Sequence, residues 1–154
     1  MDRGLVVIND TEAHKRLLRE AGQFIAGTDA ELVLFSWMTP EQYEAGIDAL
    51  ETIGDVEHTT YDESTALDMT TRFARELADE SFVEGDADID YEVEGVVTED
   101  DDISDEVLDA AERLECDHIF VVGRSRSPTG KAIFGDIAQR IILNFDGLVT
   151  TATT

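Results

Sequence analysis

Residues 123–131 read Gly-Arg-Ser-Arg-Ser-Pro-Thr-Gly-Lys, and Gly135-Asp136 follows just ahead of an apolar, helix-periodic stretch. Arg124, Arg126, Lys131 and Arg140 stand in this segment against one acid, Asp136, a net of +3 over residues 123–140. Guanidinium forks hold phosphate oxygens bidentately, and Ser125, Ser127 and Thr129 add hydroxyl donors. The segment runs from the end of a strand through a Gly-containing loop to a helix start, where free backbone amides and the helix dipole favour anions. The competing use of these arginines is pairing with the chain's own carboxylates, or covering a dimer face; their clustering favours phosphate. Gly130-Lys131 also suggests a P-loop, but position 125 is Ser where a Gly is required. Ala132 follows the lysine where a Mg²⁺-binding Ser or Thr belongs, so that class of triphosphatase is not indicated.

The other reactive residue types form no constellation. Glu99, Asp100, Asp101, Asp102, Asp105 and Glu106 lack the spacing, glycine and terminal Glu of a Ca²⁺ loop. They read as a solvated turn whose acids suit the N-terminus of the next helix. Asn9-Asp10 after the first strand is reminiscent of the acidic pair of a phosphorelay receiver, but the last strand carries no lysine. His14, His58 and His118 have no ligand spacing to one another or to Cys116. His14, beside Lys15, reads as a surface histidine. Cys116 reads as a small buried hydrophobe, and no Ser–His–Asp or Cys–His pairing can be assembled. No catalytic residue is assigned.

Strands and helices in alternation must position the basic segment. Leu5-Val6-Val7-Ile8 is a buried strand, with Asn9-Asp10-Thr11 as turn and cap. Leu17, Leu18, Ala21, Phe24 and Ile25 then recur at helical spacing up to Gly27. Leu32–Trp37 is a second buried strand, and together these make a βαβ unit with parallel strands. Thr39-Pro40 starts a helix through Tyr43, Ile47 and Leu50, broken by Gly54–Thr60. A longer helix follows from about Asp62 to Asp79, with Ala66, Met69, Phe73, Leu77 and Ala78 as its stripe. After a turn at Gly85-Asp86, Ile89–Val97 alternates with acids as a half-exposed strand near a sheet edge. Val107, Leu108, Ala111 and Leu114 mark the next helix, and His118–Val122 a buried strand ending at Gly123. Ile133, Phe134, Ile137, Ile141, Ile142 and Phe145 trace a last helix, and Leu148–Thr153 a closing strand. Five strands alternating with helices predict an open α/β sheet. There is no internal repeat or linker.

The chain has 154 residues with 36 Asp+Glu against 11 Lys+Arg, a net charge of −25. Outside residues 123–140 the balance is 7 basic to 35 acidic residues, or −28. Such a field repels nucleic-acid phosphates and anionic membranes. Scarce lysine and abundant surface carboxylate suit a cytosol at molar salt, where screening is nearly complete beyond about 3 Å. A single cysteine, and no apolar run approaching a membrane span, fit a cytoplasmic protein of one domain.

These residues carry a resemblance. Over essentially its whole length, 1–154, the chain resembles the universal stress protein family. That family reads strand–Asp-Gly-Ser at the first turn, then a later strand–Gly-x-x-Gly, nine residues, Gly-Ser/Thr. Here the first element is Val6-Val7-Ile8-Asn9-Asp10-Thr11. The second is Asp117–Gly123, then Arg124–Lys131, then Gly135-Asp136. The resemblance implies an adenine nucleotide alpha hydrolase-like fold, a parallel sheet ordered 3-2-1-4-5 with helices on both faces. It implies ATP or AMP in the crevice between strands 1 and 4, with Asn9, Asp10, Thr11, Trp37, Gly123, Arg124, Ser125, Arg126, Gly130, Lys131, Gly135 and Asp136 as the cofactor-binding set. Asn9 stands for the family Asp, Trp37 for a strand-2 Val, Arg126 for the second glycine and Asp136 for the Ser/Thr. Gly135 comes one residue early. Trp37 either stacks on a base or fills the pocket as core, and Asp136 either repels phosphate or shares a Mg²⁺ with it. A homodimer through strand 148–154 is also implied. The alternatives are a homodimer without nucleotide that works through an unidentified protein partner, and a slow metal-assisted ATP hydrolase.

Overall fold

A computed structural model describes residues 2–45, 63–82, 89–123 and 135–153. The elements in order are β1 (Arg3–Val7), α1 (Glu12–Ile25), β2 (Glu31–Met38), α2 (Glu63–Phe82), β3 (Tyr91–Val97), α3 (Ile103–Arg113), β4 (His118–Gly123), α4 (Asp136–Asn144) and β5 (Leu148–Thr153). Residues 40–45 are also helical, and a short 3-10 turn, Asp100–Asp102, precedes α3. The expected helical positions Ile47 and Leu50, the break at Gly54–Thr60, the turn at Gly85-Asp86, and Ile133 and Phe134 lie outside the described residues, as do the side chains at the start of α2.

All five strands are parallel and lie in the order β3-β2-β1-β4-β5. The β-branched runs explain the centre. Leu5 to Ile8 and Leu32 to Phe35 are almost fully buried because both faces of a parallel sheet are covered. Alternation sorts their side chains. Leu5, Val7, Val33, Phe35, Ile119 and Val121 pack with Ile103, Val107, Ala110 and Ala111 of α3 and Ala138 and Ile141 of α4. Val6, Ile8, Leu32, Leu34 and Phe120 pack on the other face with Leu17, Leu18 and Ala21 of α1 and Ala74, Leu77 and Ala78 of α2. β3, half-exposed, is an edge as its acid-apolar alternation predicts, and β5 forms the other edge.

Two expectations are corrected. Phe24 belongs to the apolar spacing of α1 yet is 57% exposed. It stands at the rim of the sheet, edge-on to His118 and Phe120 at ring distances of 5.4 and 6.0 Å. Ile142 is likewise exposed on α4. The Thr39-Pro40 start is as expected: Gln42 N donates to Thr39 Oγ1 at 3.2 Å, and Gln42 Oε1 accepts from Thr39 N at 2.9 Å, a reciprocal capping box.

The turn into β5 has little freedom. A Cβ at Gly147 would lie 2.9 Å from the Asp117 carbonyl oxygen and 2.5 Å from the Phe145 ring. That carbonyl accepts from Leu148 N at 3.2 Å and starts the β4–β5 pairing, so it cannot retreat without loosening β5. Gly147→Ala is expected to lower the unfolding free energy by about 1–3 kcal/mol, the usual range for forced overpacking. Chemical denaturation of the two proteins measures it.

Candidate functional site

The switch in strand order lies between β1 and β4, and open α/β sheets bind ligands beyond the C-terminal strand ends at that point. Strand register defines what stands there. β1 pairs β4 as Gly4↔His118, Leu5↔Ile119 and Val6↔Phe120, and the same offset brings Asn9 level with Gly123. β1 pairs β2 as far as Val7↔Phe35, an offset that brings Asn9 level with Trp37. Ile8 N donates to Phe35 O at 3.0 Å, so the β1–β2 pairing continues to within one residue of Asn9. Trp37, Asn9 and Gly123 therefore form a row across three adjacent strands, roughly 10 Å wide at the usual strand spacing. Strand alternation assigns this row to the face covered by α3 and α4.

Each member has a definite environment. Asn9 is half-buried, and its Oδ1 accepts from the Asp10 amide at 2.8 Å. Its side-chain NH₂ has no partner among the described residues. Trp37 is half-buried and packs against the α3/α4 core, so one part of the ring is core and another meets solvent. Gly123 is buried. Gly135 caps α4 with φ +81° and ψ 159°, a backbone region essentially restricted to glycine. Asp136 is the first residue of α4 and is exposed. Its carboxylate makes no hydrogen bond among the described residues and leaves the helix amides uncapped. Arg124, Ser125, Arg126, Gly130 and Lys131 lie outside the described residues.

Thr11 serves the other face. It is the N-cap of α1, its Oγ1 accepting from His14 N at 3.1 Å and lying 2.6 Å from His14 Nδ1. With Nδ1 unprotonated, the hydroxyl donates to it. His14 is thus half-buried against its own cap, where a surface histidine was expected. Cys116 is buried, as expected, and burial pushes its thiol up to about 11. Ser36 was not singled out by its sequence. It is 1% exposed, and its Oγ has no partner among the described residues. The only signal for it is a hydroxyl inside the apolar run Leu32–Trp37.

Burial pushes the His14 pKa from 6.5 down to about 4. The unfolded chain then binds the proton more tightly, so the stabilisation is full above about pH 6.5 and is lost as pH falls toward 4. His118 is shifted down as well, by burial, with Asp117 opposing, and acts in the same direction. The unfolding free energy is expected to fall between pH 7 and pH 5, with about 1 kcal/mol of the fall due to His14 after discounting for its partial exposure. Denaturant titrations at both pH values, compared with His14→Gln, isolate that share.

A family model described as the universal stress protein family matches residues 1–150. The chain belongs to the universal stress protein family. Solved structures agree in fold. A universal stress protein from Archaeoglobus fulgidus is 21% identical with a TM-score of 0.63, covering 99% of this chain and 98% of that one. A universal stress protein in complex with cAMP is 16% identical with a TM-score of 0.59, covering 99% and 96%. A universal stress protein from Archaeoglobus fulgidus in complex with dAMP is 16% identical with a TM-score of 0.58, covering 99% and 97%. No curated protein matches the chain. Among the described residues of this universal stress protein, no helix is long and apolar enough to cross a membrane. Among the same described residues, no three His, Cys, Asp or Glu side chains gather at metal-binding distance.

Proposed function

We propose that this universal stress protein is a stress-response binding and regulatory module that holds an adenine nucleotide, ATP or AMP, or another phosphorylated ligand in the crevice between β1 and β4. The observation that carries the reading is the row Trp37–Asn9–Gly123 at the topological switch, on the sheet face covered by α3 and the glycine-started helix α4. Asn9 offers an unpaired amide to a ribose hydroxyl, and Trp37 offers a partly solvent-facing ring to a base. Gly135 lets a phosphate approach the first amides of α4, and Arg124, Arg126 and Lys131 supply the charge that offsets Asp136. Relatives of the same fold solved with cAMP and dAMP support a nucleoside monophosphate as the minimal ligand.

The experiment is ligand-dependent stability. Denaturing the protein purified at high salt and assaying released nucleotide shows whether ligand is carried along. Titrating ATP, ADP and AMP, with and without Mg²⁺, while following thermal unfolding gives the affinity. A true ligand at 100 times its dissociation constant adds about 2.7 kcal/mol. No released nucleotide and no shift with any of the three would sink the reading.

One observation favours a homodimer alongside this. β5 is an edge strand without charge, and Leu148 and the nearby Leu143 of α4 are 65% and 72% exposed. Antiparallel pairing of two β5 strands would cover both.

A further inference from the structure

Beside the crevice, an open groove of about 640 Å³ lies between the first turns of α1 and the C-terminal ends of β4 and β5. Thr11, His14, Arg16, Arg19, Val122 and Thr153 line it. Val122 directly precedes Gly123, and Thr11 directly follows Asn9-Asp10, so the groove opens on the α1 face at the same C-terminal strand ends whose α3/α4 face carries the row. Arg16 and Arg19 sit three residues apart on one helix face, the spacing that places side chains side by side.

The commitments of the nearby charges leave these two arginines available. Arg3, Lys15 and Arg113 are each paired with a carboxylate. Arg16 and Arg19 are in no ion pair among the described residues, although acids outnumber bases 36 to 11 in the chain. Of the acids near them in sequence, Asp10 and Glu12 lie beside Lys15, whose Nζ is 3.9 Å from Asp10 Oδ1 and 3.7 Å from Glu12 Oε1, and Glu20 forms no ion pair with either arginine among the described residues. Glu12, which also borders the groove, is the one carboxylate on its wall among the described residues. Arg16 Nη2 donates to Thr153 O at 2.9 Å, on the groove wall, and its other N–H groups have no partner among the described residues. Arg19 makes no hydrogen bond among the described residues. The amides of α1 are not the binding groups, because Thr11 already caps them.

We infer that the groove binds a phosphate chain through the paired guanidiniums of Arg16 and Arg19, extending the crevice so that a nucleotide's terminal phosphates run along α1. The nucleotide arm of this inference rests on the crevice reading; inorganic tripolyphosphate probes the groove without it. Arg19→Gln is the chosen variant, since Arg19 is exposed and makes no hydrogen bond or ion pair among the described residues. Thermal unfolding is followed with tripolyphosphate, AMP and ATP for both proteins. Tripolyphosphate is expected to raise the wild-type Tm and to lose most of that effect in Arg19→Gln. ATP is expected to bind wild type about tenfold more tightly than AMP and to bind the variant about as well as AMP does, with AMP itself unchanged. A tripolyphosphate shift or an ATP preference that survives in Arg19→Gln overturns the inference, as does a wild type indifferent to tripolyphosphate. AMP binding with no tripolyphosphate response removes the groove and keeps the crevice. An Arg19-dependent tripolyphosphate response without AMP binding keeps the groove and removes the crevice.

Discussion

Replacing Phe120 by alanine lowers the unfolding free energy by about 3–5 kcal/mol, the range for deleting a buried aromatic ring. Phe120 is 1% exposed in β4, at the centre of the sheet, and joins the α1/α2 core to the strand. Its ring is stacked 7° from parallel with His118 at 4.3 Å and meets Phe24 edge-on. Removing it opens a cavity and also strips the ring that covers His118. His118 Nε2 keeps Thr150 Oγ1 at 2.7 Å, but its Nδ1, buried and unpartnered among the described residues, gains access to water. The His118 pKa, held down by burial, therefore rises toward its ordinary value in the variant. Denaturant unfolding gives the stability loss, and the histidine ring proton shifts followed against pH give the second effect. A loss below about 1 kcal/mol would mean that the α1 face closes over the gap.

Asn9→Leu is expected to weaken AMP binding about tenfold or more while changing stability by less than about 1 kcal/mol. The separation arises because the position does little for the fold. Among the described residues its side chain bonds only the adjacent Asp10 amide, and it is half-buried at a strand end. The loss in binding arises because a ligand hydroxyl placed against leucine has no partner. An unmet polar group in a partly closed site costs about 1–3 kcal/mol. Asn9→Asp should retain binding, because the carboxylate still accepts from a ribose hydroxyl. Calorimetric titration of the three proteins with AMP separates these outcomes. Equal affinities for wild type and Asn9→Leu would place the ligand elsewhere.

The sheet was legible because parallel strands covered on both faces are written as continuous β-branched runs, as at Leu5–Ile8 and Leu32–Trp37. The N-cap at Thr39 with Pro40 behind it was equally local. The ends of strands 1 and 4 were legible through Asn9-Asp10-Thr11 and Gly123. Contacts between distant segments were not. The 2.9 Å limit that Asp117 O sets at Gly147 joins residues thirty positions apart, and no local pattern encodes it. Phe24 follows the helical period of α1 faithfully, but the period gives the direction of a side chain and not whether the sheet extends beneath it. Arg16 and Arg19 carry no sequence signal for a related reason. They are unremarkable as helix surface, and only the ends of β4 and β5 turn their shared face into a groove wall. The local sign reversal at residues 123–140 is visible in the linear charge count, but α1 contributes a second basic cluster that the count disperses among Glu12 and Glu20.

The central claim is that the ligand sits on the Trp37–Asn9–Gly123 row, and the chain carries one tryptophan, Trp37. Its emission therefore reports on that row alone. Titration of AMP at high salt, followed by tryptophan fluorescence, should give a saturable change with one nucleotide per chain, and Asn9→Leu should shift the midpoint to higher concentration. Emission that stays constant through millimolar AMP, while calorimetry shows the nucleotide bound, would contradict the account.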